Sequence, residues 1–321
     1  MFISILLLVV GFVLLIKGAD WLVTGSSSLA KRFNISELVI GLTIVAFGTS
    51  APELVVNVLA SFKGANDIAL GNIIGSNIFN LLFILGVAGL IYPITVHRNT
   101  VWREIPYSLF AAIVVLLIAN DAFVDGTVGN RIDRTDGIML LLFFVAFLYY
   151  AYLSIQSEDT TDLVEEEIKV MSGLKSISFT LIGLVLLILG GKLVVDNAID
   201  IAKSFQISEK LIGLTIVAAG TSLPELATSA VAAFRKRSDI AIGNVVGSNI
   251  FNVFFVLGTS AVINPIPYNT NFNIDILLLI AGTILLFGTM FVGKRHLVER
   301  WVAIVLIGIF LLYMAYLMVK N

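Results

Sequence analysis

Residues 36–80 read SELVIGLTIVAFGTSAPELVVNVLASFKGANDIALGNIIGSNIFN, and residues 208–252 read SEKLIGLTIVAAGTSLPELATSAVAAFRKRSDIAIGNVVGSNIFN. The two stretches align without a gap at an offset of 172, with 28 of 45 positions identical. Each places one carboxylate, Glu53 or Glu225, directly after a proline inside a strongly apolar segment. A buried acid repeated in a lipid-soluble chain points to a cation pathway.

The chain around these motifs is written for a bilayer. Of its 321 residues, 58% are hydrophobic and 13% charged, and mean hydropathy is +1.01. Soluble domains carry about 25% charged residues. The chain has no cysteine, which excludes disulfides, thiolate metal sites and cysteine nucleophiles. Its two histidines, His97 and His296, lie in polar connections without metal-ligand spacing. The first apolar stretch lacks a basic n-region and a cleavage site, and it has a counterpart at 176–198, so no removable signal peptide is expected.

Hydropathy predicts ten spans: 2–25, 36–61, 67–91, 103–120, 135–154, 176–203, 208–233, 239–263, 272–292 and 297–319. The fold class expected is an all-α integral membrane protein with ten transmembrane helices. The repeat offset divides them into two five-helix units, 1–154 and 176–321, joined by a short acidic linker at 155–175. An odd number of spans per repeat inserts the second copy upside down. Lys and Arg fall twelve to one side (Lys31, Arg32, Arg98, Arg103, Lys169, Lys175, Arg235, Lys236, Arg237, Lys294, Arg295, Arg300) and six to the other (Lys63, Arg131, Arg134, Lys203, Lys210, Lys320). The richer side is expected to be cytoplasmic, which leaves both termini outside. Lys17 and Lys192 fall within spans and either snorkel or pair. The linker carboxylates Glu158, Asp159, Asp162, Glu165, Glu166 and Glu167 lack EF-hand spacing and read as a solvated strip, as does the stretch Asp121–Asp136.

The chemistry sits in Gly48-Thr49-Ser50-Ala51-Pro52-Glu53 and Gly220-Thr221-Ser222-Leu223-Pro224-Glu225. Proline removes an N–H and clashes with the carbonyl four residues back, so the core helices should break and the carbonyls from Ala46 to Thr49 are expected to lose helical partners. Such carbonyls are tolerated in a membrane only against protein or a cavity. Thr49 and Glu53 are four apart and share a face. The following spans carry the stripes Asn72, Ser76, Asn80 and Asn244, Ser248, Asn252, beside glycines that permit close helix approach. Two carboxylates among neutral oxygens suit a hard cation such as Ca²⁺ or Na⁺. A lone Ser, Thr or Asn in a membrane helix is more often packing glue than a ligand, and for Asn72 and Asn244 the two readings weigh equally. An ionised Glu at mid-bilayer is too costly to be glue.

These motifs resemble the alpha-repeats of the calcium/cation antiporter superfamily, in its sodium/calcium exchanger branch of prokaryotic type. The resemblance covers the whole chain and implies the following. Glu53 and Glu225 ligate Ca²⁺, and Thr49 and Thr221 contribute to that site. Ala46, Ala218, Ser50, Ser222, Ser76 and Ser248 line flanking Na⁺ sites. Asn80 and Asn252, the last polar residues of the two GSNIFN stretches, lie near the centre. Asparagine rather than aspartate at both positions argues for K⁺ independence and leaves two acids in the core. The activity implied is antiport of Na⁺ and Ca²⁺ by alternating access in the plasma (inner) membrane, with three Na⁺ per Ca²⁺ and net charge moved. The expected moving parts are spans 1 and 6, with Gly18 and Gly190-Gly191 at matched positions. No cofactor, nucleic acid or obligate protein partner is implied; the ions and the lipid bilayer suffice. The competing readings are Ca²⁺/H⁺ exchange, with the two glutamates taking protons, and a passive cation channel. An enzyme is not expected, since no span holds a histidine to pair with a nucleophile.

Overall fold

The computed structural model describes residues 2–120, 130–157, 170–205 and 218–320. In chain order the helices are α1 (Phe2–Phe33), α2 (Glu37–Thr49), α3 (Ala51–Phe62), α4 (Asp67–Ile91), α5 (Thr100–Ile118), α6 (Arg134–Ser157) and α7 (Gly173–Ser204). They continue with α8 (Leu223–Phe234), α9 (Ser238–Ile263), α10 (Asn273–Thr289) and α11 (Arg300–Lys320). Among the described residues eight helices are long and apolar enough to cross a membrane, and α2 with α3 makes a ninth span bent by 47°. The remaining predicted span, 208–233, is described only from Ala218–Gly220 through α8, because 206–217 lie outside the described residues. The acidic linker at 158–169 and the loop at 121–129 lie outside them too.

The layering follows hydrophobicity. α4 and α9 are the most deeply buried long helices, and α11 is the least buried. α2, α3 and α8 pack around α4 and α9. α1 and α7 form an antiparallel pair against this core. Their backbones nearly touch: a Cβ on Gly18 would stand 2.8 Å from the Gly183 carbonyl, and one on Gly190 would stand 2.8 Å from that of Gly11. Only glycine admits that approach. Lys17 and Lys192 are exposed and make no ion pair among the described residues, which favours the snorkelling reading.

The backbone reproduces the sequence repeat. Ser50 and Ser222 each precede a proline-bearing helix with (φ, ψ) of (−83°, 7°) and (−90°, 9°). Both lie in the sparsely populated bridge region. Gly64 and Lys236, also 172 apart, both turn left-handed, at φ 66° and 58°. The break differs from expectation in one detail. The Ala46 carbonyl keeps a helical partner, the Ser50 N–H at 3.0 Å. Pro52 deprives the carbonyl four residues before it, that of Gly48, and leaves the bond ending at Ala46 intact.

Short strand pairs tie the helix connections together. β1 (Ile94–Thr95) pairs with β4 (Leu297–Val298), and β2 (Arg131–Ile132) pairs with β3 (Ile266–Pro267), both antiparallel. At the first pair's end, His97 Nε2 lies 3.0 Å from Asp239 Oδ2 and Arg237 Nη1 lies 3.9 Å from Glu37 Oε1. At the other end the Asn264 amide donates to the Ser61 carbonyl at 3.3 Å. Beyond the two central acids, Glu37, Glu104 and Asp239 are also buried. Each lies at or near a helix end with a polar partner; for Glu104 it is the Tyr150 hydroxyl.

Candidate cation site

Glu53 and Glu225 stand in the first turns of α3 and α8, and both are completely buried. Proline at the start of each helix fixes the entry. The acids are held across the molecule. Ser50 donates to Glu225 Oε1 at 2.9 Å, and Ser222 donates to Glu53 Oε1 at 3.0 Å. The threonines cross likewise: Thr49 donates to Asn244 Oδ1 at 3.0 Å and Thr221 to Asn72 Oδ1 at 3.2 Å. The Asn77 amide donates to the Asn249 carbonyl at 3.1 Å, and the Asn249 amide returns a bond to Asn77 at 3.2 Å. In each pair of bonds, adding or subtracting 172 at both ends turns one into the other. Each motif thus contacts the other as it is itself contacted.

The structure therefore gathers most of the residues that sequence analysis singles out. Thr49, Ser50, Glu53, Thr221, Ser222 and Glu225 meet at the facing breaks, and Asn72, Ser76 and Asn244 contact them. Ser76 Oγ lies 3.1 Å from Ser222 Oγ. Ala46 is buried before the first break. Ala218 begins the short helix before the second, and its side chain is outside the described set. Ser248 is buried with a hydroxyl that makes no hydrogen bond. Asn80 and Asn252 lie in π-helical turns, Phe79–Ile84 and Asn252–Leu257. Such turns are frequent at functional sites, and nothing in the hydropathy pattern marks them. Asn77 and Asn249 are among the site-region residues that sequence reading passed over, as are Asn57, which donates to the Glu53 carbonyl at 2.8 Å, and Ser229, which accepts from Asn244 at 2.9 Å. The signal for Asn77 and Asn249 was available, as the asparagines of the repeated Gly-Ser-Asn.

The donor chemistry can be read from what stays unsatisfied. Glu53 Oε2, Glu225 Oε2, Ser248 Oγ, Asn80 Oδ1 and Asn252 Oδ1 are buried oxygens without a hydrogen-bond partner. Among the described residues no Lys or Arg pairs with either glutamate. Two buried carboxylates with bare oxygens and no basic partner call for a bound cation or protons. Among the described residues no group of three or more His, Cys, Asp and Glu could hold a metal. The set is thus two carboxylates and neutral oxygens, which suits a hard, weakly polarising cation and not a transition metal.

Residues 3–153 and 175–319 match the model of the sodium/calcium exchanger protein family. The chain belongs to this family. It is 37% identical to the inner membrane protein YrbG of Escherichia coli K12, across 99% of this chain and 97% of that one. It is 29% identical to the sodium/calcium exchanger MaX1 of Methanosarcina acetivorans, across 99% and 98%. Among solved structures it resembles the sodium-calcium exchanger NCX_Mj soaked with Na⁺ and Sr²⁺, with a TM-score of 0.83, 33% identity and 97% of each chain covered. The protein is accordingly a multi-pass membrane exchanger of prokaryotic type, a transporter rather than an enzyme.

Proposed function

We propose that the protein exchanges Na⁺ for Ca²⁺ across the membrane by alternating access, without K⁺ and with net movement of charge. The observation that carries this reading is the exchanged pair Ser50–Glu225 and Ser222–Glu53, which puts one acid from each repeat into a single buried set. One Ca²⁺ or two Na⁺ neutralise two carboxylates. Loading both kinds together would place excess positive charge in a compact low-dielectric site, so they compete. In this reading Glu53, Glu225, Thr49 and Thr221 hold Ca²⁺. Ser50, Ser76, Ser222, Ser248 and the backbone near Ala46 and Ala218 serve Na⁺, and Asn80 and Asn252 supply neutral oxygens near the centre. Membership of the sodium/calcium exchanger protein family and likeness to exchangers named for both ions support the choice of ions.

The architecture that goes with it is ten spans in two inverted five-helix repeats, 1–154 and 176–321, the second completed by the span that ends in α8. The paired backbone breaks and exchanged contacts support this arrangement. α1 and α7 are the moving pair, held together as a unit by their glycine contact. The 155–175 linker is cytoplasmic and the termini lie outside, on the twelve-to-six bias of basic residues. In intact cells, a membrane-impermeant thiol reagent should label Asn130→Cys and spare Ser157→Cys; the opposite pattern reverses the orientation.

The ion coupling is tested by ⁴⁵Ca uptake into proteoliposomes. An outward Na⁺ gradient should drive accumulation, and an H⁺ gradient should not. Ca²⁺ entering against three Na⁺ carries one net charge outward, so an inside-positive potential favours uptake. That charge is worth about 2.3 kcal/mol per 100 mV, or roughly fifty-fold in accumulation ratio. Uptake driven by H⁺ alone, or indifferent to potential, overturns the corresponding part of the reading. Uptake that needs no counter-ion makes the protein a channel.

A further inference from the structure

We propose that Asn77 is a positioning residue that fixes which end of the Asn252 amide faces the cation; the inference rests on the reading of Asn252 as an ion ligand. An asparagine side chain ends in one oxygen and one NH₂, so a cation site can use it only when the oxygen points inward. The orientation here follows from a chain of bonds anchored on backbone. The Asn249 carbonyl can only accept, so the Asn77 atom 3.1 Å from it must be the amide nitrogen. That places Asn77 Oδ1 on the other side, where it can only accept. The Asn252 atom facing it at 3.1 Å is therefore nitrogen. Asn252 is left with its oxygen turned away from Asn77, buried and accepting no hydrogen bond. All three asparagines are buried, at 1%, 3% and 0% exposure for Asn77, Asn249 and Asn252, so water does not scramble the order.

The mirror relay is absent. Asn249 donates to the Asn77 carbonyl, but its own side-chain oxygen accepts nothing, and neither polar atom of Asn80 has a hydrogen-bond partner. Thus the two reciprocal bonds to backbone brace α4 against α9 equally, while only Asn77 also orients a neighbour. A brace and a positioning role therefore make different predictions for the two asparagines.

The test is Ca²⁺ affinity, by equilibrium ⁴⁵Ca binding to the purified full chain and by the KM for uptake. Asn77→Ala should weaken Ca²⁺ binding about tenfold with a smaller change in maximal rate, and Asn249→Ala should weaken it less than threefold. A carboxylate has oxygen at both ends and needs no orienting. In an Asn252→Asp background the cost of Asn77→Ala should therefore shrink to less than twofold. Asn77→Ser, which keeps a polar group at the helix crossing, provides a second variant if Asn77→Ala does not purify as a single species. Equal losses for Asn77→Ala and Asn249→Ala, or the same loss from Asn77→Ala in both backgrounds, would show a simple brace and overturn the proposal. Unchanged affinity in Asn252→Ala would remove the ligand reading beneath it and overturn the proposal by that separate route, leaving the Glu53–Glu225 assignment standing.

Discussion

Ser50 reaches Glu225 at 2.9 Å and Ser222 reaches Glu53 at 3.0 Å, so the two repeats treat each other's acid almost identically. Lys63 and Arg235, which cap α3 and α8 at matched positions, do not behave alike. Arg235 pairs with Asp20 and donates to the Thr24 hydroxyl at 3.0 Å, tying the end of α8 to α1. The positions on α7 that correspond to Asp20 and Thr24 are Lys192 and Asp196. Around Lys63 the matched positions thus offer a base, Lys192, and an acid, Asp196, and Lys63 makes no ion pair among the described residues. A single ion shared by both motifs would constrain the two acids and the serines that hold them, which do match, more than the asparagines beside them, which do not. The rims touch no ion and are free to diverge, so a difference there can set which face of the exchanger rests closed.

The equivalence at the centre can be broken first with Glu53→Gln and Glu225→Gln. Each should abolish Ca²⁺ flux while the protein still purifies as a folded species, because each removes one of only two central charges. Near-normal flux in one of them would mean that the motifs do not share the site equally. The difference at the rim should show a much smaller effect. Exposed ion pairs contribute up to about 1 kcal/mol. Arg235→Gln should therefore shift the ratio of Ca²⁺ KM values measured from the two faces of oriented proteoliposomes by at most about fivefold. Lys63→Gln should leave that ratio unchanged. Equal shifts from both would show that the rims are equivalent as well.

Much of this was legible in the sequence, because the features concerned leave periodic or repeated traces. Long apolar runs mark the spans, the 172-residue offset marks the duplication, and Pro52 and Pro224 mark the breaks. The acids Glu53 and Glu225 stand out because a charge in an apolar run has no inexpensive structural explanation. Other features leave no such trace. The π-helical turns at Asn80 and Asn252 follow no periodicity in the apolar pattern. The burial of Glu37, Glu104 and Asp239 depends on partners distant in sequence: Arg237, Tyr150 and His97. The bond from Ser50 to Ala46 that survives beside the proline was, by contrast, legible from the position of Pro52, whose missing N–H falls on the Gly48 carbonyl. The amide relay from Asn249 through Asn77 to Asn252 joins residues 172 and 175 apart, and only the packed helices bring them together.

In the proposed function two half-sites, one per repeat, make one cation site. Equilibrium ⁴⁵Ca binding to the purified protein, titrated against Na⁺, tests it most directly. One Ca²⁺ per chain is expected, displaced competitively by Na⁺ and lost in both Glu53→Gln and Glu225→Gln. Two independent Ca²⁺ per chain, each abolished by only one of the substitutions, would contradict it.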